Sequence, residues 1–401
     1  MSLSFIFSPK VRTTNSYSAD PHLLPRWGSA PHNSFNPSGA SVVFDVAIIG
    51  AGLAGLTCAQ QLQQAGYSVV VVEKSRGVGG RVATRRLHDT RADHGLRYLE
   101  SQGPLSQQLI EILDRRGIVQ AWTDTIYELH SAESGNTPAP HASKLTRYVA
   151  STGMTAVAKF LASGLEIWLG QRVNAIAPTA EQSWFLTLES GETLTAGAVV
   201  VAIPAPQALI LLEPLAQTSI PAEFLDSLRS VEFSPCLSVM AGYPMATDEL
   251  PLPDWKACTL PDDSDLAWIG LDSSKRLDAQ IPVFVLQSTA EFAQPYLDAA
   301  DLKPAGQYLL SRAAQLLIPW LDRPDWLQVH RWRYAFPSRP LNRAYLDAAT
   351  PSPLVCCGDW CGGKAIESAL NSGLAAASQI NQQLKKRSLP GERFLDALIN
   401  L

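Results

Sequence analysis

The chain has 401 residues, 46% hydrophobic and 17% charged, the composition of a globular protein with room for two domains or one large domain with an insert. A net charge of −5 supplies no basic footprint for nucleic acid, and no lysine–arginine run marks an anionic membrane surface. The six cysteines, at 58, 236, 258, 356, 357 and 361, form no C-x-x-C pair and have no histidine nearby in sequence, so they read as reduced core thiols in a reducing compartment and no metal is expected.

Residues 1–43 are rich in Ser, Pro and Asn, with Asp20 the only acid and Lys10, Arg12 and Arg26 the only strong bases. This suits a disordered extension or a targeting segment; the second reading would move the expected location from the cytoplasm to an organelle such as a plastid.

Phe44 to Ile49 reads as a short buried strand. It runs into Gly50-Ala51-Gly52-Leu53-Ala54-Gly55, then into a helical period through Leu53, Leu56, Ala59 and Leu62 that Gly66 ends. A second apolar strand, Val69 to Val72, ends at Glu73. Strand, glycine turn, helix and strand form the dinucleotide-binding unit: Gly50 permits the turn, Gly52 lets backbone approach a pyrophosphate, and Gly55 lets helix pack on strand. The helix start offers free N–H groups and a positive dipole end to phosphate. Glu73 is placed to accept hydrogen bonds from ribose hydroxyls, and its charge disfavours the 2′-phosphate of NADP. The alternative is a chance glycine turn in a strand–helix–strand unit.

Just beyond Lys74, "KSRGVGGRVATRR" places Gly79, Gly80 and Arg81 where a second loop can fold over the first turn. Arg81 would then add a fixed cation to the pyrophosphate, a feature needed for FAD and not for NAD. Arg76, Arg85 and Arg86 lie close by, so a solvated basic loop is the other reading.

Ser131 to Ser143, "SAESGNTPAPHAS", reads as an exposed loop able to gate a cavity. The uncharged run Thr193 to Leu212 has the length of a membrane span, but Pro204 and Pro206 divide it into a buried strand and a following helix. Strand signals "CLSVMAGY" and "FVLQST" lie within residues 210–345. Near the end, an apolar strand from Leu354 to Cys357 leads into Gly358-Asp359. A helix then begins near Lys364, with Ile366, Leu370, Leu374 and Ala377 on one face and the small residues Ala369, Ser372 and Gly373 permitting close packing. An Asp directly after a strand can accept from ribityl hydroxyls, and a helix N-terminus at a flavin's O2/N1 edge stabilises the reduced ring.

With these residues in place, the chain resembles the FAD-dependent amine oxidase superfamily, and within it the renalase family of flavoproteins. The ordered matches are the glycine motif, Glu73 and Gly79-Gly80-Arg81, then "ADHGLRYLE", "YVASTGMTAVAKFLA", "RVNAI", "VVVAIPAPQA", "WIGLDSSKR", "VLQSTAEFAQPYLD", "HRWRYAFP" and the Gly358-Asp359 ending, spanning residues 44–388. The resemblance implies an α/β fold with an α+β insert: a Rossmann-type FAD-binding domain of the glutathione reductase / p-hydroxybenzoate hydroxylase kind, with a mixed-sheet substrate domain. The FAD-binding part would comprise 44–100, 150–209 and 346–388, and the substrate part 101–149 and 210–345, leaving 389–401 as a tail.

It also implies roles. Glu73, with Lys74 beside it, would bind ribose, and Gly80 and Arg81 the pyrophosphate. Val173 would contact adenine through its backbone, and Gly358 and Asp359 the ribityl or pyrophosphate. His94, Gly95, Leu96, Arg97 and Tyr98 would lie beside the flavin ring, with Ala365 and Ile366 at its pyrimidine edge. Relatives read Ala-Gln where this chain has Leu96-Arg97; Arg97 would favour an anionic reduced flavin or anionic substrate, or is a surface arginine. Trp332, Tyr334 and Trp360 are candidates for an aromatic box, each more readily an ordinary core aromatic. Lys364 is a candidate for a lysine–water–flavin link or a surface lysine, and the setting of Cys361 does not match a covalent attachment motif.

The implied chemistry is hydride transfer from a small donor to flavin N5, with O2 as acceptor and hydrogen peroxide as product. The donor would be a dihydronicotinamide isomer or an amine; an amine oxidase or desaturase for larger apolar substrates, and a non-catalytic redox module, are the other readings. FAD is expected to be held without a covalent bond. No nucleic acid partner and no transmembrane segment are expected.

Overall fold

The computed structural model describes residues 42–130, 139–216, 219–244, 251–363 and 365–399. The extension read as disordered or targeting lies outside this range except for Val42 and Val43, which begin the first strand. Lys364 lies outside it too.

Two sheets organise the described chain. In the first, Leu354–Cys356, Thr193–Val201, Val42–Ile49, Val69–Glu73 and Glu166–Leu169 run parallel in that spatial order. Leu346–Asp347 closes one edge antiparallel, and the hairpin Val173–Pro178/Trp184–Leu188 pairs with the first half of Thr193–Val201. These strands carry apolar residues in succession because both faces are covered: Val46, Ile48, Val69 and Val71 face one core, and Ala47, Ile49, Val70 and Val72 the other. The register puts Ile49 beside Val72 and Val201, and Val201 beside Cys356, so the carboxyl ends of four strands meet at one edge, where a parallel sheet binds its ligand. The apolar run ending at Leu212 is the strand Thr193–Val201 and the helix Ala205–Leu212, parted at the prolines. No helix among the described residues is long and apolar enough to cross a membrane.

The second sheet has the order Trp326–Arg339, Glu232–Gly242, Val283–Ser288, Leu266–Leu271, Ala257–Thr259, Gln120–Glu128, Ala139–Val149. It is antiparallel except where Ala257–Thr259 pairs with Gln120–Glu128, which makes it the expected mixed sheet. Ala139 to Ser143 of the expected gate loop belong to its edge strand, and residues 131–138 lie outside the described range. One face of this sheet, through Met240, Trp268 and Val285, shares a core with the nucleotide-side elements; the other, through Leu237, Val239 and Phe284, closes over helix Lys303–Leu316.

Two segments differ from expectation. Helix Pro104–Arg115, expected with the substrate part, packs on the C-terminal helix Ile366–Gln383, whose Glu367 carboxylate accepts from Leu105 N and Ser106 N at 3.3 and 2.7 Å. That carboxylate does for the uncapped N–H groups what a capping side chain would do. The expected tail is docked: Phe394, Leu395 and Leu398 are buried, and the Gln61 and Gln64 amides donate to Gly391 O and Phe394 O. Amphipathic spacing over five residues is too short to read as a helix in advance.

Candidate functional site

The first glycine turn lies at the carboxyl edge of the parallel sheet, with Gly50 N donating to Val72 O at 2.8 Å. Gly55 brings helix Leu53–Gln64 onto the strand: a Cβ there would lie 2.1 Å from Gly50 O. A Cβ on Gly52, in contrast, would meet nothing within 4 Å, so the turn is open where a pyrophosphate would approach. No side chain caps that helix, leaving the backbone donors at Leu53 and Ala54 available.

Glu73 is buried, its Oε2 accepting from Ala51 N and its Oε1 from Ser75 N, both at 2.8 Å. Each carboxylate oxygen keeps acceptor capacity for a ribose hydroxyl. Val173 begins the hairpin beside this strand end, where Gln171 N donates to Glu73 O. Lys74 is exposed and reaches toward Gln207.

The second glycine loop does fold over the first. Gly79 N donates to Ala51 O at 2.8 Å, and a Cβ on Gly80 would lie 3.7 Å from Gly52 Cα. Arg81, however, is not a free phosphate cation: its Nη1 and Nη2 donate to Asp359 Oδ2 and Oδ1 at 2.8 and 2.6 Å, and Nη1 also donates to Ala335 O. Two residues assigned separate cofactor contacts from the sequence are thus partners, because glycines 79 and 358 bring their chain segments to the same sheet edge. Arg81 retains Nε–H and one Nη2 hydrogen for a ligand.

The C-terminal helix starts at Ile366 behind Ala365, also without a side-chain cap. It lies hard against the glycine-motif helix, since a Cβ on Gly373 would stand 2.4 Å from Ala54 O. The pattern of small residues in this helix therefore has the packing consequence read from sequence.

His94 to Tyr98 leaves the hairpin Thr84–Leu87/Thr90–Asp93 and crosses the Arg81 backbone, where Leu96 N donates to Arg81 O. His94 stacks on Trp332 with ring centroids 5.3 Å apart, and Trp332 Nε1 donates to His94 O at 2.8 Å. His330 contacts both rings edge-on, at 4.7 and 4.3 Å. Burial, reinforced by His330 and Arg85, pulls His94 down to about 3, and burial with Arg85 and Arg331 pulls His330 down to about 4. This wall is therefore aromatic and neutral near pH 7.

Gln287 holds the next turn of chain. Its Nε2 donates to Gly95 O at 2.9 Å and its Oε1 accepts from Arg97 Nε at 2.7 Å. The Arg97 guanidinium carbon lies 4.8 Å from the Trp268 ring centroid, so Arg97 is a partly buried cation over the second sheet and not a surface arginine. Tyr98 turns toward Trp122 and Arg147.

The aromatic box expected from sequence is only partly assembled. Trp332 joins it, Tyr334 packs edge-on against Phe233 instead, and Trp360 is a core residue, with Nε1 donating to Ile203 O. Of the two readings its sequence allowed, Trp360 takes the second: its ring lies in the apolar core on one face of the first sheet. His330, Gln287 and Trp268 were missed as site residues; their shared position is a matter of register across four strands, which single-strand patterns do not carry.

A buried ionic quartet fixes this region from beneath. Lys275 Nζ lies 3.2 and 2.8 Å from Asp93 and Asp272, and Arg276 lies 3.1 and 2.6 Å from the same two carboxylates. Asp93 Oδ1 also accepts from Thr84 Oγ1 and Met154 N, so the residue before His94 is held by both halves of the molecule.

The open glycine turn, the ribose-ready Glu73 and two uncapped helix starts fit FAD. Cys361 is buried and its thiol is pushed by burial up to about 12, a poor setting for covalent attachment. Among the described residues no group of His, Cys, Asp or Glu could hold a metal ion.

Comparison with known proteins agrees with this geometry. An NAD(P)-binding Rossmann-like domain model matches residues 48–115. The model for flavin containing amine oxidoreductase matches residues 142–381, more than half of the chain. An L-amino-acid oxidase of Crotalus adamanteus is 42% identical over 69 residues, which is 17% of this chain and 13% of that enzyme. One from Siganus canaliculatus is 56% identical over 41 residues, 10% of this chain and 8% of that enzyme. These matched stretches are thus small parts of the curated relatives. Wild-type putrescine oxidase bound to putrescine superposes with a TM-score of 0.64 at 15% identity, covering 86% of this chain and 100% of that one. Cyclohexylamine oxidase from Brevibacterium oxydans IH-35A gives 0.62 at 14% identity over 86% and 100%. From its family match, and in keeping with its fold and a site that fits FAD, the chain belongs to the flavin containing amine oxidoreductases.

Proposed function

We propose that the protein oxidises a small nitrogen-bearing substrate at a C–H next to nitrogen, in the manner of renalase-like enzymes acting on dihydronicotinamide isomers, with O2 as the final acceptor. When bound, FAD supplies the two-electron acceptor, and its return to the oxidised form by O2 yields hydrogen peroxide. The observation that carries the reading is the His94–Trp332–His330 wall: two stacked rings and a third set edge-on to both, with histidines near 3 and 4, provide shape and position but no group that titrates near neutrality. Such a wall suits a donor that gives up hydride without prior proton removal, so orientation supplies the rate. Gln287 and the Arg81 backbone hold the wall's chain in place, and Glu73 with the glycine turn would hold the ribose and pyrophosphate of the cofactor.

A second reading, oxidation of a neutral amine or amino acid, is favoured by the amine and amino-acid oxidases among the relatives. Anaerobic rapid mixing of the FAD-loaded protein separates the two. Dihydronicotinamide isomers are expected to bleach the flavin within seconds and amines slowly, with peroxide released when air is admitted. Faster bleaching by amines reverses the order of the readings, and a flavin left oxidised by both classes rejects both.

A further inference from the structure

The helix Ile366–Gln383 is fixed to the nucleotide side by residues beyond its first turn. Ser372 Oγ accepts from Gly358 N at 3.0 Å, and Gly373 lies against Ala54. Its start is held differently. Gly362 and Gly363 lead toward it, no side chain caps it, and Ala365 to Ser368 are all partly exposed. A helix begun in this way has N–H groups at Ile366, Glu367 and Ser368 with no partner inside the helix.

Glu367 is the acid of this first turn, where a carboxylate ordinarily serves the positive end of its own helix. Here it serves another. Its Oε2 accepts from Ser106 N at 2.7 Å, and its Oε1 from Leu105 N at 3.3 Å and from Asn371 Nδ2 at 3.1 Å. Pro104 has no N–H and Gln107 N bonds Gly103 O, so Glu367 takes both free donors in the first turn of helix Pro104–Arg115. The fit leaves no room to spare: a Cβ on Gly103 would stand 2.4 Å from Glu367 Cδ. One carboxylate thus ties together the starts of two helices, and its charge is compensated at the end of the helix that does not carry it.

We propose that Glu367 is a positioning residue for the flavin. By anchoring the start of helix Ile366–Gln383 to helix Pro104–Arg115, it holds the free N–H groups of that start toward the ring and raises the flavin's reduction potential. In the cofactor reading on which this rests, the O2/N1 edge of the ring meets Ile366, and negative charge gathers there on reduction. A carboxylate left free at the same end would oppose that charge; drawn onto the neighbouring helix, it fixes the donors instead.

The test measures the reduction potential of the full chain under saturating FAD, by equilibration with a reference dye, with the thermal midpoint alongside. Glu367→Ala releases the helix start and should shift the two-electron equilibrium at least tenfold toward oxidised flavin, a fall of about 30 mV. Glu367→Gln keeps an acceptor for Ser106 N and should recover part of that fall. Gly103→Ala retains the charge but displaces the carboxylate, so its potential should fall as well. The Gly103 backbone is extended and accepts alanine, so this variant carries the test should Glu367→Ala not fold. A potential that rises in Glu367→Ala would mean a carboxylate acting through its field alone, and overturns the proposal. So does a lowered midpoint with the potential unchanged, the behaviour of a cap that serves helix Pro104–Arg115 and nothing more. Wild-type protein that takes up no FAD rejects the cofactor reading, and this inference with it; a bound flavin indifferent to all three variants rejects the inference alone.

Discussion

Arg81 holds both carboxylate oxygens of Asp359 although the two are 278 positions apart in sequence. The Asp359 side chain is almost entirely buried and that of Arg81 is about one-third exposed. Removing the carboxylate charge leaves the guanidinium without its counterion and turns one of its two acceptor oxygens into an amide donor, at a cost of about 1–3 kcal/mol once the exposed partner is allowed for. Asp359→Asn should lower the thermal midpoint and weaken FAD retention together, measured by differential scanning fluorimetry and the bound flavin-to-protein ratio. A midpoint that falls with flavin content unchanged would assign the pair to the fold alone.

The quartet of Asp93, Asp272, Lys275 and Arg276 should make Lys275→Met destabilising by about 3–5 kcal/mol in denaturant titration, since two carboxylates are left facing one cation. Although burial alone would raise Asp272, the Lys275 and Arg276 charges outweigh it and hold the carboxyl below its ordinary value. Its contribution is therefore complete above about pH 4 and lost as the pH falls through the lower folded value. An acid-unfolding midpoint the same in wild type and Asp272→Asn would contradict this.

His94 acts in a different pH range. It stays neutral in the folded chain down to about 3, whereas an unfolded histidine takes up its proton near pH 6.5. The unfolded state binds the extra proton between those values, so this stability is complete above about pH 6.5 and declines as the pH falls toward 3. His94→Phe keeps a ring against Trp332 and should flatten the decline of the thermal midpoint between pH 6.5 and 4. An unaltered slope would mean that His94 does not titrate as described.

Gly373→Val should separate the two helices at the nucleotide site. Its side chain would meet Ala54 O and Thr57 Cβ at 2.4 and 2.9 Å from the first carbon alone, an overpacking cost of about 1–3 kcal/mol or more. Purified variant protein is expected to carry less FAD than wild type at equal expression.

FAD should be dissociable. Acid precipitation of the purified protein is expected to leave the yellow colour in the supernatant, and colour kept in the pellet would establish a covalent bond.

The parts of the molecule that were legible are those written locally. Gly50, Gly52 and Gly55 with Leu56, Ala59 and Leu62 encode strand, turn and helix within twenty residues, and Glu73 ends the next strand where a ribose would lie. Gly373 could be read as a close-packing residue because helical spacing places it beside Ala369 and Ser372. What escaped depends on distance or register. Nothing near Arg81 announces Asp359, and Lys275 and Arg276 look like surface charges until both halves of the molecule enclose them. His330, Gln287 and Trp268 share a row only after three strand pairings are set. Trp360 follows Asp359 in sequence, yet its ring belongs to the apolar core, the plainer of the two readings its sequence allowed.

The close approach of Gly373 to Ala54, together with the Arg81–Asp359 pair, has a consequence for synthesis on the ribosome. The opening strand and glycine turn emerge early, but the surfaces that enclose them are translated about three hundred residues later. A nascent chain arrested before residue 359 should expose the apolar flank of its first helix and stay colourless, so coenzyme loading becomes a checkpoint that only nearly finished polypeptides pass.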